Sequence, residues 1–210
     1  DVERSRGLGD VYKRQVQDTA RVLSRYLDGI MIRTFEQKEV EDLAKYGSIP
    51  IINGLTDYCH PCQVLADLMT IREHKNTFDG LKFCFIGDGN NMANSLIVGA
   101  ITMGMECAIA CPADYKPDAE IIKWASENGK FTCSDDILAC AKDADVIYTD
   151  VWASMGQEQE KAEREKIFKN YQINDEVMAA AHDDAMVLHC LPAHLSLIHI
   201  SEPTRPLYIS

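Results

Sequence analysis

Two rhythms of apolar and polar residues alternate along this chain. Short, mainly apolar runs at Ile30–Ile32, Ile49–Ile52, Phe83–Ile86, Glu106–Cys111, Val146–Thr149 and Met186–His189 predict strands. The segments between them repeat at helical spacing. Asp18 is placed to cap a helix through Tyr26, with Gly29 as its stop. Thr34-Phe35-Glu36-Gln37 fits a capping box for a helix to Lys45, ending at Gly47. Pro61 suits the first position of a helix to about His74, whose predicted apolar side carries Val64, Leu65, Leu68, Met69 and Ile71. Further helices are expected from Asp118 to Asn128, from Asp135 to Lys142, and up to about Ala181, with Val151 to Gln159 read as a loop. Strands alternating with helices define an α/β fold with mainly parallel sheets. The break at Asn76–Gly80 places a domain boundary near the Pro61 helix.

The stretch Phe83–Ala100 organises the rest. Its apolar strand ends in Gly87-Asp88-Gly89 and passes at once into a helix, as in the βα unit of a parallel sheet. Asn90 and Asn91 stand at the helix start, able to cap it or to face a ligand. In open α/β sheets ligands bind beyond the carboxyl ends of the strands. The groups falling there are Arg33, the loop 53–63, the turn 87–91, Asp150 and His189-Cys190.

Composition narrows the classes. Hydrophobic content of 46% and charged content of 26% are those of an ordinary soluble globular protein. A formal charge of −12 argues against a nucleic-acid partner. The longest apolar stretch, Leu96–Met105, is too short to span a bilayer, so no membrane partner is expected. The eight cysteines sit at 59, 62, 84, 107, 111, 133, 140 and 190, several within strand-like runs. That placement fits buried thiols in a reduced, cytoplasmic protein without a leading secretory signal.

Two familiar templates fit poorly. A dinucleotide fingerprint needs a third glycine where Met92 stands, and no acidic residue ends the next strand at Cys111. Cys59-His60-Pro61-Cys62 is a C-x-x-C, yet neither a thioredoxin-like context nor a second pair of zinc ligands accompanies it. An NAD-dependent Rossmann oxidoreductase and a non-catalytic thiol or zinc module therefore stand as the competing readings.

Four motifs, in order, resemble the ornithine carbamoyltransferase family. They are His60-Pro61-Cys62-Gln63, Gly87-Asp88-Gly89-Asn90-Asn91-Met92, Asp150-Val151-Trp152-Ala153-Ser154-Met155-Gly156 and His189-Cys190-Leu191-Pro192. Asp18–Leu23 and the strand ending at Arg33 are also similar to that family, so the likeness runs from about Gln17 to His194. The resemblance implies two α/β domains and transfer of a carbamoyl group from carbamoyl phosphate to the δ-amine of ornithine. Citrulline and phosphate would be the products, in arginine metabolism, with no metal or organic cofactor. It assigns catalysis to Arg33, His60, Asp150 and Cys190, and carbamoyl phosphate binding to Arg33, His60, Gln63, Cys190 and Leu191. Ornithine contacts fall on Asn91, Asp150, Ser154 and Met155. A homotrimer is expected of the full-length parent.

By the same resemblance, 16–58 is the end of a carbamoyl phosphate-binding domain, 59–78 an interdomain helix and 79–195 a Rossmann-like ornithine domain. The ends, 1–15 and 196–210, resemble translated sequencing adapter and are set aside from the fold. The family's Ser-x-Arg-Thr-Arg phosphate loop is expected upstream of Asp18, and an arginine where Leu195 stands. Arginine grips phosphate bidentately, so a truncated first domain and no activity of the chain alone are expected.

Overall fold

A computed structural model describes residues 16–152 and 161–190 together with a strand at Leu207–Ile209. The described residues form an α/β fold, and every strand pairing among them is parallel. Its contacts divide it into two units, one through Cys62 and one from Gln63 onward.

The first unit holds helix α1 (16–23), strand β1 (Ile30–Arg33), helix α2 (Gln37–Tyr46) and strand β2 (Ile51–Leu55). β1 and β2 pair in register Ile30↔Ile51, Met31↔Ile52 and Ile32↔Asn53, with an irregularity before Arg33. Among the described residues, Val40 and Leu43 of α2 and Ala20 of α1 are its buried apolar side chains. Three local expectations change. Asp18 lies inside α1 and pairs with Arg21 at 3.3 Å instead of capping the helix. α2 starts after Glu36, because the Thr34 hydroxyl turns to the Glu39 carboxylate rather than to a backbone N–H. β2 begins after Pro50, which accepts a hydrogen bond from Ile30 N, and runs on to Leu55.

The second unit is built on a six-stranded sheet. Its strands are β3 (Lys82–Ile86), β4 (Glu106–Ala110), β5 (Phe131–Ser134), β6 (Val146–Thr149), β7 (Met186–His189) and β8 (Leu207–Ile209), in the order β5-β4-β3-β6-β7-β8. Alternate residues serve opposite faces. Phe83, Phe85, Cys107, Ile109, Val146, Tyr148, Met186 and Leu188 face helices α3 (Pro61–Lys75), α4 (Asn91–Thr102) and α5 (Ala119–Asn128). Cys84, Ile86, Ala108, Ala110, Ile147 and Val187 face helices α6 (Ile137–Ala141) and α8 (Asp175–Ala180). Helix α7 (Lys161–Phe168) lies between β6 and α8 in the chain. Asn90, Asp118, Asp136 and Asn174 cap α4, α5, α6 and α8 through side-chain oxygens.

Here too the sequence reading needs amendment. The buried face of α3 is Val64, Asp67 and Ile71, whereas Leu65 and Met69 are exposed. β5 was not expected, because Phe131-Thr132-Cys133-Ser134 is short and half polar, as befits an edge strand. At the opposite edge, β8 comes from the tail that sequence had set aside. Backbone pairing is indifferent to side chains, and β7 offers a row of backbone groups to any short extended segment.

Candidate functional site

β3, β6 and β7 are neighbours, so their carboxyl ends bring Asp88, Asp150 and Cys190 together. Asp150, one residue past β6, is 5% exposed, and its carboxylate is almost fully engaged. Oδ1 accepts from the Cys190 thiol at 2.7 Å and from Val151 N at 2.6 Å. Oδ2 accepts from Asn90 Nδ2 at 2.9 Å. The oxygen of that Asn90 amide accepts from Met92 N and Ala93 N at the start of α4. A single amide thus joins a helix cap to a buried carboxylate.

The Cys190 thiol is pushed well above its usual range, first by burial, then by the Asp150 charge and hydrogen bond. It therefore stays protonated and serves as a donor, not a nucleophile. Beneath it, Tyr148 stands on β6 with its ring 6.0 Å from those of Phe83 and Phe85. Burial raises the Tyr148 phenol, with Asp67 adding to the shift. Asp67, fully buried on α3, accepts from Gln63 Nε2 at 3.1 Å, one helical turn away. Gln63–Asp67 and Cys190–Asp150–Asn90 form two hydrogen-bonded segments of a polar strip in the apolar core, with the buried Tyr148 phenol beside both.

An ion pair flanks the strip. Asp88, in the turn after β3, pairs with Arg164 of α7, and both are buried. The Arg164 guanidinium lies over the rings of Tyr115 and Phe168 at 5.0 and 5.4 Å, and its Nε donates to the Trp152 carbonyl. Asp88 is pushed up to about 6 by burial, against the pull of Arg164 and with Asp150 adding to the rise. Gly89 is required next to it. A Cβ there would sit 2.3 Å from Pro117 N, so only glycine lets the 112–118 loop close on this turn.

Of the sequence-assigned residues, the structure joins Asp150 directly to Cys190, and places Gln63 in the same strip. Asn91 is the first residue of α4, half-buried, while its neighbour Asn90 makes the contact to Asp150. Arg33, exposed at the end of β1, and His60, half-buried before α3, belong to the first unit. Ser154, Met155 and Leu191 lie outside the described residues. Sequence reasoning missed Asp67, although a charge at the centre of the Val64–Ile71 stripe was a readable signal. It also missed Arg164, which sits in the charge-rich run Lys161-Ala162-Glu163-Arg164-Glu165-Lys166 with nothing local to single it out.

Donor atoms of Asp150, His189 and Cys190 lie within 4.8 Å of one another, as do those of Asp145, His182 and Asp184. In the first set the thiol is committed to Asp150. In the second His182 contacts Asp145 at 3.0 Å and Asp184 pairs with Lys75 at 2.8 Å. Cys59 and Cys62 also have separate partners, the Asn53 amide nitrogen and the Asn53 carbonyl respectively. A surface hollow of about 590 Å³ in the first unit is lined by Glu36, Gln37, Lys38, Glu41, Asp57 and Tyr58. Its acidic lining suits no phosphate.

Residues 79–199 match the family description "Aspartate/ornithine carbamoyltransferase, Asp/Orn binding domain", and residues 2–73 match its "carbamoyl-P binding domain". An ornithine carbamoyltransferase of Geobacter metallireducens is 55% identical over 181 residues, covering 85% of this chain and 60% of that protein. One of Pyrococcus abyssi is 54% identical over 184 residues, covering 85% and 58%. The solved ornithine carbamoyltransferase of Pyrococcus furiosus superposes with a TM-score of 0.85 at 50% identity, covering 91% of this chain and 64% of that one. The chain spans about 60% of the length of the curated relatives it matches.

Proposed function

The chain belongs to the aspartate/ornithine carbamoyltransferase family, and from that premise we propose that it is part of an enzyme transferring the carbamoyl group of carbamoyl phosphate to the δ-amine of L-ornithine. The observation that carries this reading is the Asp150–Cys190 pair, 2.7 Å apart at the ends of adjacent strands. With the thiol held protonated, Asp150 supplies the negative charge that attracts an alkylammonium group. An amine of this kind has a pKa of about 10, so attack on a carbonyl requires that it shed its proton once bound. Holding amine and carbonyl in register contributes on the order of 7–11 kcal/mol to such a step.

In this reading Asp150 and Cys190 orient the amine, with Asn91, Ser154 and Met155 as further ornithine contacts. Arg33 and His60 polarise the carbamoyl and phosphate oxygens, which stabilises charge where the tetrahedral intermediate forms. The Gln63 amide donates to Asp67 through its nitrogen, and this sets the sense of the amide so that its oxygen serves the carbamoyl NH₂. The Leu191 carbonyl is assigned the same task. The 16–58 segment acts as part of the carbamoyl phosphate domain and 79–195 as the ornithine domain. The full-length parent is a cytoplasmic homotrimer, and the 210-residue chain alone is inactive.

The test is calorimetric titration of the chain with L-ornithine, L-aspartate and L-lysine, beside a citrulline assay with carbamoyl phosphate. Selective ornithine binding that disappears in Asp150→Asn is the expected result. Equal affinity for aspartate, or an unchanged Asp150→Asn variant, would overturn the assignment. Citrulline formed by the chain alone would overturn the expected inactivity.

A further inference from the structure

Cys111 and Cys133 take no part in the polar strip, yet they are the described cysteines that meet. Cys111 follows β4 and Cys133 lies on the neighbouring β5, with their sulfurs 3.8 Å apart. Their surroundings differ. Cys111 is buried in the core against α4 and α5, whereas Cys133 is half-buried on the edge strand. We propose that these two thiols form a reversible disulfide site, with Cys133 as the residue an oxidant meets and Cys111 as the one that resolves it.

The environment divides these roles. The contact between the two thiols and then the Lys116 charge lower Cys133, against the opposing effect of burial. Cys111 is raised by the same contact and by its burial in the core, which favours the thiol there. A thiolate on an accessible edge beside a protonated partner is the arrangement of a peroxide-sensitive pair. The oxidant is a peroxide. The Cys133 thiolate attacks one peroxide oxygen, the O–O bond breaks, and hydroxide leaves to take up a proton as water. Cys133 is then a sulfenic acid. The Cys111 sulfur attacks the Cys133 sulfur, the S–O bond breaks, and the hydroxyl leaves with the Cys111 proton as a second water. Two thiols and one hydrogen peroxide give one disulfide and two waters.

Bond formation requires the sulfurs to close from 3.8 Å to about 2.05 Å. The movement falls on the start of the 112–118 loop, whose Tyr115 carbonyl accepts from Gly89 N at 2.9 Å and whose Tyr115 ring lies under Arg164. Oxidation is thus mechanically joined to the turn carrying Asp88.

The experiment treats the reduced 210-residue chain with a small excess of hydrogen peroxide, alkylates the remaining thiols, and maps cross-linked peptides by mass spectrometry. A Cys111–Cys133 cross-link with the loss of two thiols, reversed by dithiothreitol, is expected. It should survive in Cys140→Ala and vanish in Cys133→Ala. Because Cys111→Ala tests the buried partner, its fold is checked first by circular dichroism. In that variant Cys133 should stop at the sulfenic acid, and its alkylation should shift to higher pH, since its contact with Cys111 is gone. Any other pairing, including Cys59 with Cys62 or Cys133 with Cys140, would overturn the proposal. So would over-oxidation of Cys133 beside an unmodified Cys111.

Discussion

Asn90 donates from its amide nitrogen to Asp150 at 2.9 Å while its amide oxygen caps helix α4. Asparagine meets both needs because it carries a donor and an acceptor on one planar group. Aspartate would cap equally well, but it would set a second carboxylate against Asp150. Asn90→Asp should therefore keep its helix content and lose about 1–3 kcal/mol of stability, with Asp150 left short of one donor and facing a like charge. Urea unfolding followed by circular dichroism measures this. A variant as stable as the parent would show that the amide bridge contributes nothing.

The buried Asp88 imposes a pH dependence. Its carboxyl is pushed up to about 6, against about 3.9 in an unfolded chain. Between these values the folded state holds a proton that the unfolded state releases. The stability this group contributes is therefore fully present below about pH 4 and is lost as pH rises through 6. The full effect is roughly 3 kcal/mol. Asp88→Asn removes the titration, so the stability of wild type minus that of Asp88→Asn should fall from pH 4.5 to 7.5. A difference that rises over that range would reverse the sign and indicate that Arg164 outweighs burial.

Gly99 tests how closely α3 and α4 pack. A Cβ at Gly99 would lie 2.4 Å from Val64 Cγ1. Alanine normally favours a helix by about 1 kcal/mol over glycine, but this contact lies far inside van der Waals range and involves a buried side chain. Overpacking wins, and Gly99→Ala should cost about 1–3 kcal/mol. Val64→Ala alone should also destabilise by leaving a cavity. Together they should cost less than their sum by on the order of 1 kcal/mol, because each relieves the other. Simple additivity in a thermal double-mutant cycle would contradict this packing.

Cys190 is placed as a protonated donor, so it should resist alkylation. Iodoacetamide at pH 8 should modify it far more slowly than an ordinary exposed thiol, since burial and Asp150 both oppose the thiolate. Asp150→Asn removes the charge and should accelerate the reaction. Saturating ornithine should slow it in wild type. Rapid modification of Cys190 in the parent chain would show a thiolate nucleophile instead.

The sequence disclosed the strands of the second unit more fully than their surroundings. Val146–Thr149 and Met186–His189 are found at their expected bounds, because four consecutive buried residues leave no ambiguity of period. β5 went unseen because an edge strand needs only one apolar face. Leu65 and Met69 were misassigned because helical spacing admits several stripes, and the true one contains a carboxylate. The Thr34 cap failed because a nearby glutamate competed for the hydroxyl. At the site, Asp150 and Cys190 were legible from motifs, whereas Arg164 depends on a pairing 76 residues away that no local pattern encodes.

Met31 and Ile52, register partners on β1 and β2, are 67% and 52% exposed. A two-stranded parallel pair with one apolar face in water is marginal, whereas the inner strands β3, β4, β6 and β7 are covered on both sides. Transferred to deuterated buffer, the chain should therefore exchange on two clocks. Amides of β1 and β2 should be replaced through local opening within minutes, while those of Cys84, Ile109, Ile147 and Leu188 should wait for rare global unfolding of the second unit.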